Sequence, residues 1–401
     1  MAAFIYDTVR TPRGKGKRGG ALNQVTPIHL ATTCLQAIRD RNDLSTANIE
    51  DVILGCSNPL GEQGGDIGRI AALNAGFDQI VAGVQLDRFC GSGLDAIHMA
   101  SAYIMAGQID LCVAGGVESM SRVPMGSGGS AGLMDPQVVW RISSVPQGIS
   151  ADLIATRFGY DRSSLDAFAL RSQQKAYTAQ CDNLWAKSLV AVKDINGRTL
   201  LDKDEYLRPE TTMQDLGNLQ PAFEEIGCRY GYEQVVLARY PEVEKINYCH
   251  HAGNSSGIVD GAAAVLIGSE AAGVQAGLIP RAKVRAWANV GVEPVMMLHG
   301  PWPAAQKAMS KAGLTVSDID LFEVNEAFSS VVLHFLNCSG VNPDCVNVDG
   351  GAIALGHPLG ATGAMLVSTL IDALEREDKQ FGLVTMCAGA GMGVALIIER
   401  L

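Results

Sequence analysis

Residues 44–54 read LSTANIEDVIL, and residues 314–324 repeat the same order of apolar, hydroxyl and acidic positions as LTVSDIDLFEV. Each copy predicts a turn, a short helical start and then a strand. Each is followed further along the chain by a turn that carries a reactive side chain. The chain is therefore expected to contain two copies of one unit rich in alternating strands and helices.

After the first copy comes a strand-to-helix turn, residues 87–94, with the sequence DRFCGSGL and Cys90 at its apex. The β-branched run over residues 81–86 predicts a buried strand before the turn, and an apolar helix is predicted after it. Cys90 would lie at the helix N-terminus, where the helix dipole and free N–H groups favour a thiolate. Gly91 and Gly93 would let a substrate approach closely. The alternative for a single such cysteine is a small residue that only packs.

The second copy leads to residues 356–360, GHPLG, which place His357 before a predicted helix. A predicted strand follows and ends in residues 387–391, CAGAG. His357 therefore occupies the turn that corresponds to the Cys90 turn. Two such units facing each other would bring Cys90 and His357 into one site.

Length and composition favour a large α/β enzyme. The chain has 401 residues, 47% of them hydrophobic, 18% charged and 45 of them glycine, which suits several cores joined by tight turns. The net charge of −11 argues against a nucleic acid or an anionic membrane as partner. Ten cysteines without paired spacing predict a reducing compartment. With no charged-then-apolar leader and no long apolar run, we expect a cytoplasmic enzyme.

A more polar segment separates the two units. We predict an N-terminal half over residues 1–121 and 252–279, an inserted loop domain over 122–251, and a C-terminal half over 280–401. The insert contains a predicted helix over residues 164–179. Segments inserted over such a core commonly supply substrate contacts.

Covalent acyl transfer requires a nucleophile, a base, an acid/base for the partner substrate and donors for the oxyanion. Two cysteines, a histidine and an asparagine on predicted strand–helix turns could supply these groups. The four places are Cys90, residues 325–328 (NEAF), residues 356–358 (GHP) and residues 387–391 (CAGAG).

Six motifs in order resemble those of the thiolase family over nearly the whole chain. They are residues 90–93 (CGSG), 115–121 (GGVESMS), 252–257 (AGNSSG), 325–328 (NEAF), 356–360 (GHPLG) and 387–391 (CAGAG). The resemblance implies the duplicated five-layered α-β-α-β-α thiolase fold with an inserted loop domain. It also implies a homodimer or homotetramer that uses coenzyme A as a substrate and holds no permanently bound cofactor.

The resemblance assigns roles to five residues. Cys90 would attack a 3-ketoacyl-CoA and become acylated, and His357 would take its proton. Cys387 would be the second acid/base, acting on the acetyl-CoA enolate. Asn325 would hold a water that stabilises the thioester oxyanion with His357, while the N–H groups of Cys90 and Gly389 would form the other oxyanion hole.

The resemblance also suggests contacts with coenzyme A. Arg208 would meet the nucleotide end, although an ordinary surface arginine is the alternative. Ala252 and Ser256 would lie where the pantetheine passes, and Phe328 would close the channel as an apolar wall.

The implied reaction is cleavage of a 3-ketoacyl-CoA by coenzyme A to acetyl-CoA (or propionyl-CoA) and a shortened acyl-CoA, reversible as a Claisen condensation. Two features depart from short-chain thiolases. Residues 146–148 are Pro-Gln-Gly where many of these have His-Met-Gly, and residues 223–252 are about 20 residues longer than in compact members. Both features resemble degradative thiolases that accept longer or bulkier fatty-acid or sterol-derived acyl chains.

Three alternatives stay open at this stage. The first is a biosynthetic thiolase that forms acetoacetyl-CoA. The second is a ketoacyl synthase, which would pair its cysteine with two histidines. The third is a non-catalytic lipid-binding protein on the same fold, which would be expected to lose one of Cys90, His357 and Cys387.

No metal site is predicted. Residues 249–251, CHH, have no second Cys/His pair at ligand spacing nearby. Glu118 and Glu326 are expected to anchor loops. The remaining cysteines are expected to be small packing residues: Cys34, Cys56, Cys112, Cys181, Cys228, Cys338 and Cys345.

Overall fold

Two similar runs of strands and helices form most of the protein in a computed structural model that describes residues 1–129 and 131–401. The strands are β1 Phe4–Arg10, β2 Gly14–Lys15, β3 Asp51–Gly55, β4 Ala82–Leu86, β5 Leu111–Ser119, β6 Val192–Lys193, β7 Thr199–Leu201, β8 Val259–Gly268, β9 Ala282–Gly291, β10 Leu321–Val324, β11 Phe381–Ala388 and β12 Met392–Arg400. The helices are α1 Pro27–Arg41, α2 Ile67–Asn74, α3 Ser92–Met105, α4 Ala131–Met134, α5 Pro136–Ile142, α6 Gln147–Phe158, α7 Arg162–Cys181, α8 Met213–Gly217, α9 Glu224–Arg229, α10 Tyr232–Arg239, α11 Glu270–Gln275, α12 Pro301–Ala312, α13 Ser329–Ser339, α14 Ala352–Leu355 and α15 Leu359–Arg376.

The strand pairings of the two halves correspond. In the first half the order is β4-β3-β5-β8-β1, and in the second it is β10-β11-β12-β9. β3 is parallel to β5 as β10 is to β11, and the next strand in each half, β8 or β12, runs antiparallel. Both repeated stretches form a short 3-10 turn followed by β3 or β10. The predicted duplication is confirmed.

The apolar side chains divide into layers around these sheets. One cluster packs α1 and α2 on the outer face of the first half's strands, with Leu35 and Ile67 among its members. A second packs α12 and α13 on the outer face of the second half's strands, around Phe322. The largest cluster holds α3 and α15 between the two sets of strands, through Ile97 and Leu370 among others. This is the predicted α-β-α-β-α arrangement.

Glycines let α15 lie against the first half. A Cβ on Gly93 would stand 2.5 Å from the carbonyl oxygen of Gly360, and a Cβ on Gly116 would meet the same oxygen. A Cβ on Gly91 would lie 3.1 Å from the side chain of Val394. The expectation that Gly91 and Gly93 leave room for a substrate is therefore wrong, because protein atoms from the second half occupy that space.

The strand before the Cys90 turn also differs from the prediction. β4 is the end strand of its sheet and pairs with β3. Ala82 is exposed and the rest of β4 is half-buried, so the expectation of a buried strand over residues 81–86 is wrong. An apolar, β-branched run suits an edge strand as well as a central one, because composition does not record how many neighbours a strand has.

Between β5 and β8 lie helices α4–α10 and the β6–β7 hairpin. The helix predicted over residues 164–179 is confirmed within α7. The limits of the inserted domain stay a prediction. In the part of the chain that the structure describes, no helix combines the length and the hydropathy needed to cross a membrane.

The remaining cysteines do not all pack. Cys34, Cys56 and Cys112 are buried as expected, and Cys345 is half-buried. The other three, Cys181, Cys228 and Cys338, are exposed, so the packing prediction is wrong for them.

The close contact between Gly93 and Gly360 predicts that one added methyl group at position 93 lowers the stability of the protein. Gly93→Ala should lower the free energy of unfolding by about 1–3 kcal/mol, because the new Cβ must displace the Gly360 backbone. Gly217→Ala is the matched helical control, since no atom lies within 4 Å of its added Cβ. Chemical denaturation should show a loss for Gly93→Ala alone, and equal stability of the two variants would contradict the prediction.

Candidate active site

Cys90 and His357 hold equivalent positions in the two halves. Each is buried, and each lies two residues before the first residue of a central helix, α3 or α15. Phe89 adopts a left-handed φ of 49°, which turns the chain between β4 and α3. Ser92 holds that turn, because its hydroxyl accepts from the Arg88 N–H at 2.8 Å and donates to the Phe89 carbonyl at 2.6 Å.

Three hydrogen bonds orient His357. Its backbone N–H donates to the Gly257 carbonyl at 2.9 Å. In the ring, Nδ1 lies 2.6 Å from Oγ1 of Thr362, and Nε2 lies 3.4 Å from Nδ2 of Asn325. Oδ1 of Asn325 is buried with no protein partner among the described residues, which is consistent with the water proposed for it.

Cys387 approaches from the second half. It lies near the end of β11, which joins β12 through a hairpin whose Ala390 and Gly391 have φ of 61° and 75°. The expectation of a strand–helix turn at Cys387 is therefore wrong. The Gly389 N–H of this hairpin hydrogen-bonds the Cys90 thiol, and charge on Cys90 raises the pKa of Cys387. The structure thus brings the hairpin and the Cys90 turn together.

At rest the side chains of Cys90 and His357 are both uncharged. Burial raises the pKa of Cys90 to about 11, although hydrogen bonds from the Gln147 side chain and from the N–H groups of Cys90 and Gly389 oppose the rise. Burial, with the charge of Arg13, lowers the pKa of His357 to about 3. The helix terminus therefore does not produce a resting thiolate as expected, because loss of water outweighs the dipole. At rest Cys90 is therefore a thiol and His357 a neutral imidazole.

Two buried carboxylates anchor the loops around the site. Glu118 accepts from the Gly360 N–H at 2.9 Å, the Ser57 N–H at 2.8 Å and the Gln63 side chain at 2.7 Å. It therefore ties β5 to the first turn of α15. Burial raises the pKa of Glu118.

Glu326 has the same kind of role at the second anchor. It accepts from Ser172 Oγ at 2.6 Å, Asn347 Nδ2 at 3.0 Å and the Ile353 N–H at 3.1 Å. Both carboxylates hold backbone segments, in agreement with the sequence analysis.

A cavity of about 340 Å³ contains part of the predicted coenzyme A contacts. Arg208, Tyr206 and Ala252 line it, and the Arg208 guanidinium lies 4.9 Å from the Tyr206 ring centroid. Ser256 and Phe328 lie beyond it, toward His357: the Ser256 N–H donates to the Ala327 carbonyl at 2.9 Å. Residues 252–257 therefore run from the cavity to the site.

Two residues at the site were not assigned from sequence. Gln147 begins α6, and its side chain lies close enough to the Cys90 thiol to lower the pKa of that group, whereas the sequence marks it only as a departure from His-Met-Gly. Thr362 lies in the first turn of α15, and its only sequence signal is a hydroxyl five positions after His357. Tertiary contacts create both neighbourhoods.

Two of the residues 249–251, Cys249 and His250, belong to a possible metal-binding cluster. Ligand atoms of Asp152, Cys249 and His250 lie within 4.8 Å of one another. Asp152 Oδ1, however, accepts from His250 Nδ1 at 2.7 Å and from two backbone N–H groups at 3.0 Å. His251 instead contacts Asp166 at 2.9 Å. The three possible ligand atoms are thus used in hydrogen bonds among themselves, and a structural zinc ion takes four ligands.

Comparison with known proteins agrees with this geometry. The N-terminal domain of thiolase matches residues 3–229, and the C-terminal domain of thiolase matches residues 278–400. The chain belongs to the thiolase family. The family membership, fold class and enzyme class inferred from sequence are confirmed.

Curated relatives match this thiolase along nearly its whole length. The 3-oxoadipyl-CoA/3-oxo-5,6-dehydrosuberyl-CoA thiolase of Escherichia coli is 41% identical, over 99% of each chain. The beta-ketoadipyl-CoA thiolase of Pseudomonas putida is also 41% identical, over 99% of each chain. A 3-ketoacyl-CoA thiolase of Colwellia psychrerythraea is 40% identical, over 99% of this chain and 98% of its own. This thiolase is an acyl-CoA acyltransferase that cleaves a 3-ketoacyl-CoA with coenzyme A.

The neutral resting pair predicts the pH dependence of Cys90 alkylation. Because the pKa of Cys90 is raised to about 11, its thiolate fraction should keep rising from about pH 7 to about pH 10. Iodoacetamide labelling, followed by mass spectrometry of the Cys90 peptide, should show a rate that increases across this range. Cys228, which is exposed, is the internal control for reagent reactivity. A plateau near neutral pH would mean that Cys90 and His357 form an ion pair instead.

Proposed function

We propose that this thiolase acts in the degradative direction on 3-ketoacyl-CoA substrates whose acyl chain is longer or bulkier than acetoacetyl and apolar. The observation that carries the proposal is an apolar cluster to which the inserted segment and the second half both contribute and which includes Cys387 itself. The acyl group on Cys90 must lie beside the second acid/base, so the surroundings of Cys387 bear on the acyl chain.

In the proposed mechanism His357, neutral at rest, accepts the proton of Cys90 as the thiol attacks the 3-keto carbonyl. The N–H groups of Cys90 and Gly389 stabilise the oxyanion on that carbonyl. Cleavage releases the enolate of acetyl-CoA, which Cys387 protonates. His357 and the water held by Asn325 stabilise the oxygen of that enolate. Cys387, left as a thiolate, then takes the proton of the coenzyme A thiol as its sulfur attacks the acyl-Cys90 carbonyl, whose oxyanion is again stabilised by the N–H groups of Cys90 and Gly389. The Cys90–acyl bond breaks, and the Cys90 thiolate regains its proton from His357. Burial of these groups strengthens each electrostatic contact.

Coenzyme A is proposed to enter along residues 252–257. Arg208, at the cavity, would meet the nucleotide end through its charge. Ala252 and Ser256 would follow the pantetheine, and Phe328, which is buried, would wall the channel next to the reacting thioester. No other cofactor is proposed.

The apolar cluster that includes Cys387 favours an apolar acyl chain over one that ends in a carboxylate. The cluster includes Ile149, Val236 and Phe328 as well as Cys387. Two arginines border it, and each has a carboxylate partner: Arg157 lies 3.0 Å from Glu242, and Arg239 lies 3.4 Å from Glu293. A dicarboxylic acyl group would have to compete for these cations and would be desolvated against the apolar side chains.

A homodimer is proposed from the edge of the first half's strands. β4 has an open side, and the nearby apolar residues Ile80 and Phe89 are 71% and 40% exposed. An unpaired edge next to exposed apolar groups is a surface that a second copy can cover. Exposed Met134 and Trp140 on α4 and α5 support further assembly to a homotetramer. A cytoplasmic location is part of the same proposal and rests on the spacing of the ten cysteines.

Separating the two half-reactions tests the assigned roles. Incubation with a 3-ketoacyl-CoA should add an acyl mass to the Cys90 peptide, and Cys90→Ala should abolish it. Cys387→Ala should still take an acyl group from an acyl-CoA, because His357 remains, but should lose at least about 100-fold of its condensation rate. Label on another residue, or condensation at the wild-type rate in Cys387→Ala, would overturn the assignment.

A substrate panel tests the acyl chain. We expect kcat/KM for 3-ketooctanoyl-CoA to exceed the values for acetoacetyl-CoA and for 3-oxoadipyl-CoA by about tenfold or more, since each buried CH₂ contributes about 0.8 kcal/mol. Val236→Ala, in the cluster, should lower the ratio of kcat/KM for 3-ketooctanoyl-CoA to kcat/KM for acetoacetyl-CoA. Val274→Ala, a change at an exposed position, should leave this ratio unchanged. A preference for acetoacetyl-CoA would contradict the proposal, and a preference for 3-oxoadipyl-CoA would show that the substrate class is dicarboxylic.

A further inference from the structure

Thr362 is the side chain that holds the far end of the His357 ring. It is buried in the first turn of α15, with an exposed fraction of 1%. Its Oγ1 lies 2.6 Å from Nδ1 of His357, a short distance for a neutral hydrogen bond.

The direction of this bond follows from a second one. A threonine hydroxyl has one proton to donate. Oγ1 of Thr362 also lies 2.9 Å from the Pro358 carbonyl oxygen, and this geometry assigns the hydroxyl proton to that carbonyl. With its proton directed there, the same oxygen accepts from His357, and Nδ1 carries the hydrogen.

The other ring nitrogen agrees with this assignment. Nε2 of His357 is 3.4 Å from Nδ2 of Asn325, which is an amide donor. With Nδ2 placed toward the ring, this contact suits a lone pair on Nε2. Both contacts are compatible with one neutral tautomer, with hydrogen on Nδ1 and none on Nε2.

We propose that Thr362 is a positioning residue that fixes this tautomer of His357 and so makes Nε2 the atom that receives the Cys90 proton. In that step the Cys90 S–H bond breaks and an Nε2–H bond forms, which leaves a thiolate and an imidazolium. The Nδ1–H stays on Thr362 throughout. The inference rests on the proposed role of His357 as base.

Thr362→Val should impair His357 as a base without leaving a cavity at position 362. With valine at this position, Nδ1–H would be buried without an acceptor, and the ring would shift toward the tautomer with hydrogen on Nε2. That tautomer has no lone pair facing Asn325 and cannot take a proton at the required atom. A serine would keep the acceptor and should restore most of the function.

The same helix contains a matched control. Thr369 is also buried on α15, and its hydroxyl also donates to the carbonyl four residues earlier, that of Met365, at 3.1 Å. Among the described residues, the Thr369 hydroxyl makes no hydrogen bond with an imidazole. Thr369→Val thus removes the same local bond and the same atoms but should leave the His357 tautomer unchanged.

The first test is the ¹⁵N NMR spectrum of the wild-type enzyme labelled at histidine, with the His357 signals assigned by comparison with His357→Asn. We expect a hydrogen-free Nε2 and a protonated Nδ1. The second test is the rate at which an acyl-CoA acylates Cys90. Thr362→Val should lower this rate by about tenfold to 100-fold, as loss of a partner that orients a functional histidine commonly does. Thr362→Ser should recover to within about threefold, and Thr369→Val should match the wild type.

Three results would overturn the inference: hydrogen on Nε2 in the wild type, an unchanged acylation rate in Thr362→Val, or an equal loss in Thr369→Val. Should Thr362→Val fail to fold, the wild-type spectrum and the Thr362→Ser rate still decide. Failure of the proposed mechanism would give a different result, because Cys90 of the wild-type enzyme would not become acylated. The ¹⁵N spectrum would still show which ring nitrogen of His357 carries the hydrogen.

Discussion

The close contact between α15 and the first half of the chain is the constraint on which the site depends. Cys90 and His357 belong to different halves, and the first turns of the helices that follow them approach at backbone distance. Gly93, Gly116 and Gly360 provide that approach, since a Cβ at Gly93 would overlap the Gly360 carbonyl. The Glu118 carboxylate then binds the Gly360 N–H at the start of α15, where a negative charge also suits the helix dipole.

Burial decides the chemistry that follows from this contact. In water a cysteine at a helix N-terminus beside a histidine would favour the ion pair. Here desolvation raises the pKa of Cys90 and lowers that of His357, so both groups rest uncharged. The charge appears only as the thiol attacks, when the N–H groups that point at the sulfur can stabilise it. The hydrogen-bond partners of a buried, neutral imidazole matter because an uncharged ring has two tautomers, and in the proposed mechanism only one of them is a base toward Cys90.

The inserted segment contributes the part of the site that is not duplicated. Gln147 at the start of α6 acts on the Cys90 thiol, and the apolar cluster that this segment shares with the second half includes Cys387. The Tyr240 hydroxyl bonds Glu293, whose own loop packs against the hairpin that carries Gly389. Changes in this segment can therefore alter the acyl chain that is accepted while the duplicated core keeps the thiol, the imidazole and the second thiol in place.

The sequence by itself determined the duplication, the five layers and the family to which the chain belongs. Repeated patterns such as residues 44–54 and 314–324 report local structure, and motifs such as GHPLG report chemistry that many chains share. Only the tertiary structure decided the rest. Whether β4 is central or at an edge depends on neighbours that the strand does not encode, and the neutrality of Cys90 depends on water excluded by distant residues. The partners of His357 were likewise set in three dimensions, because Thr362 and Asn325 reach the ring from separate elements, 37 residues apart in sequence.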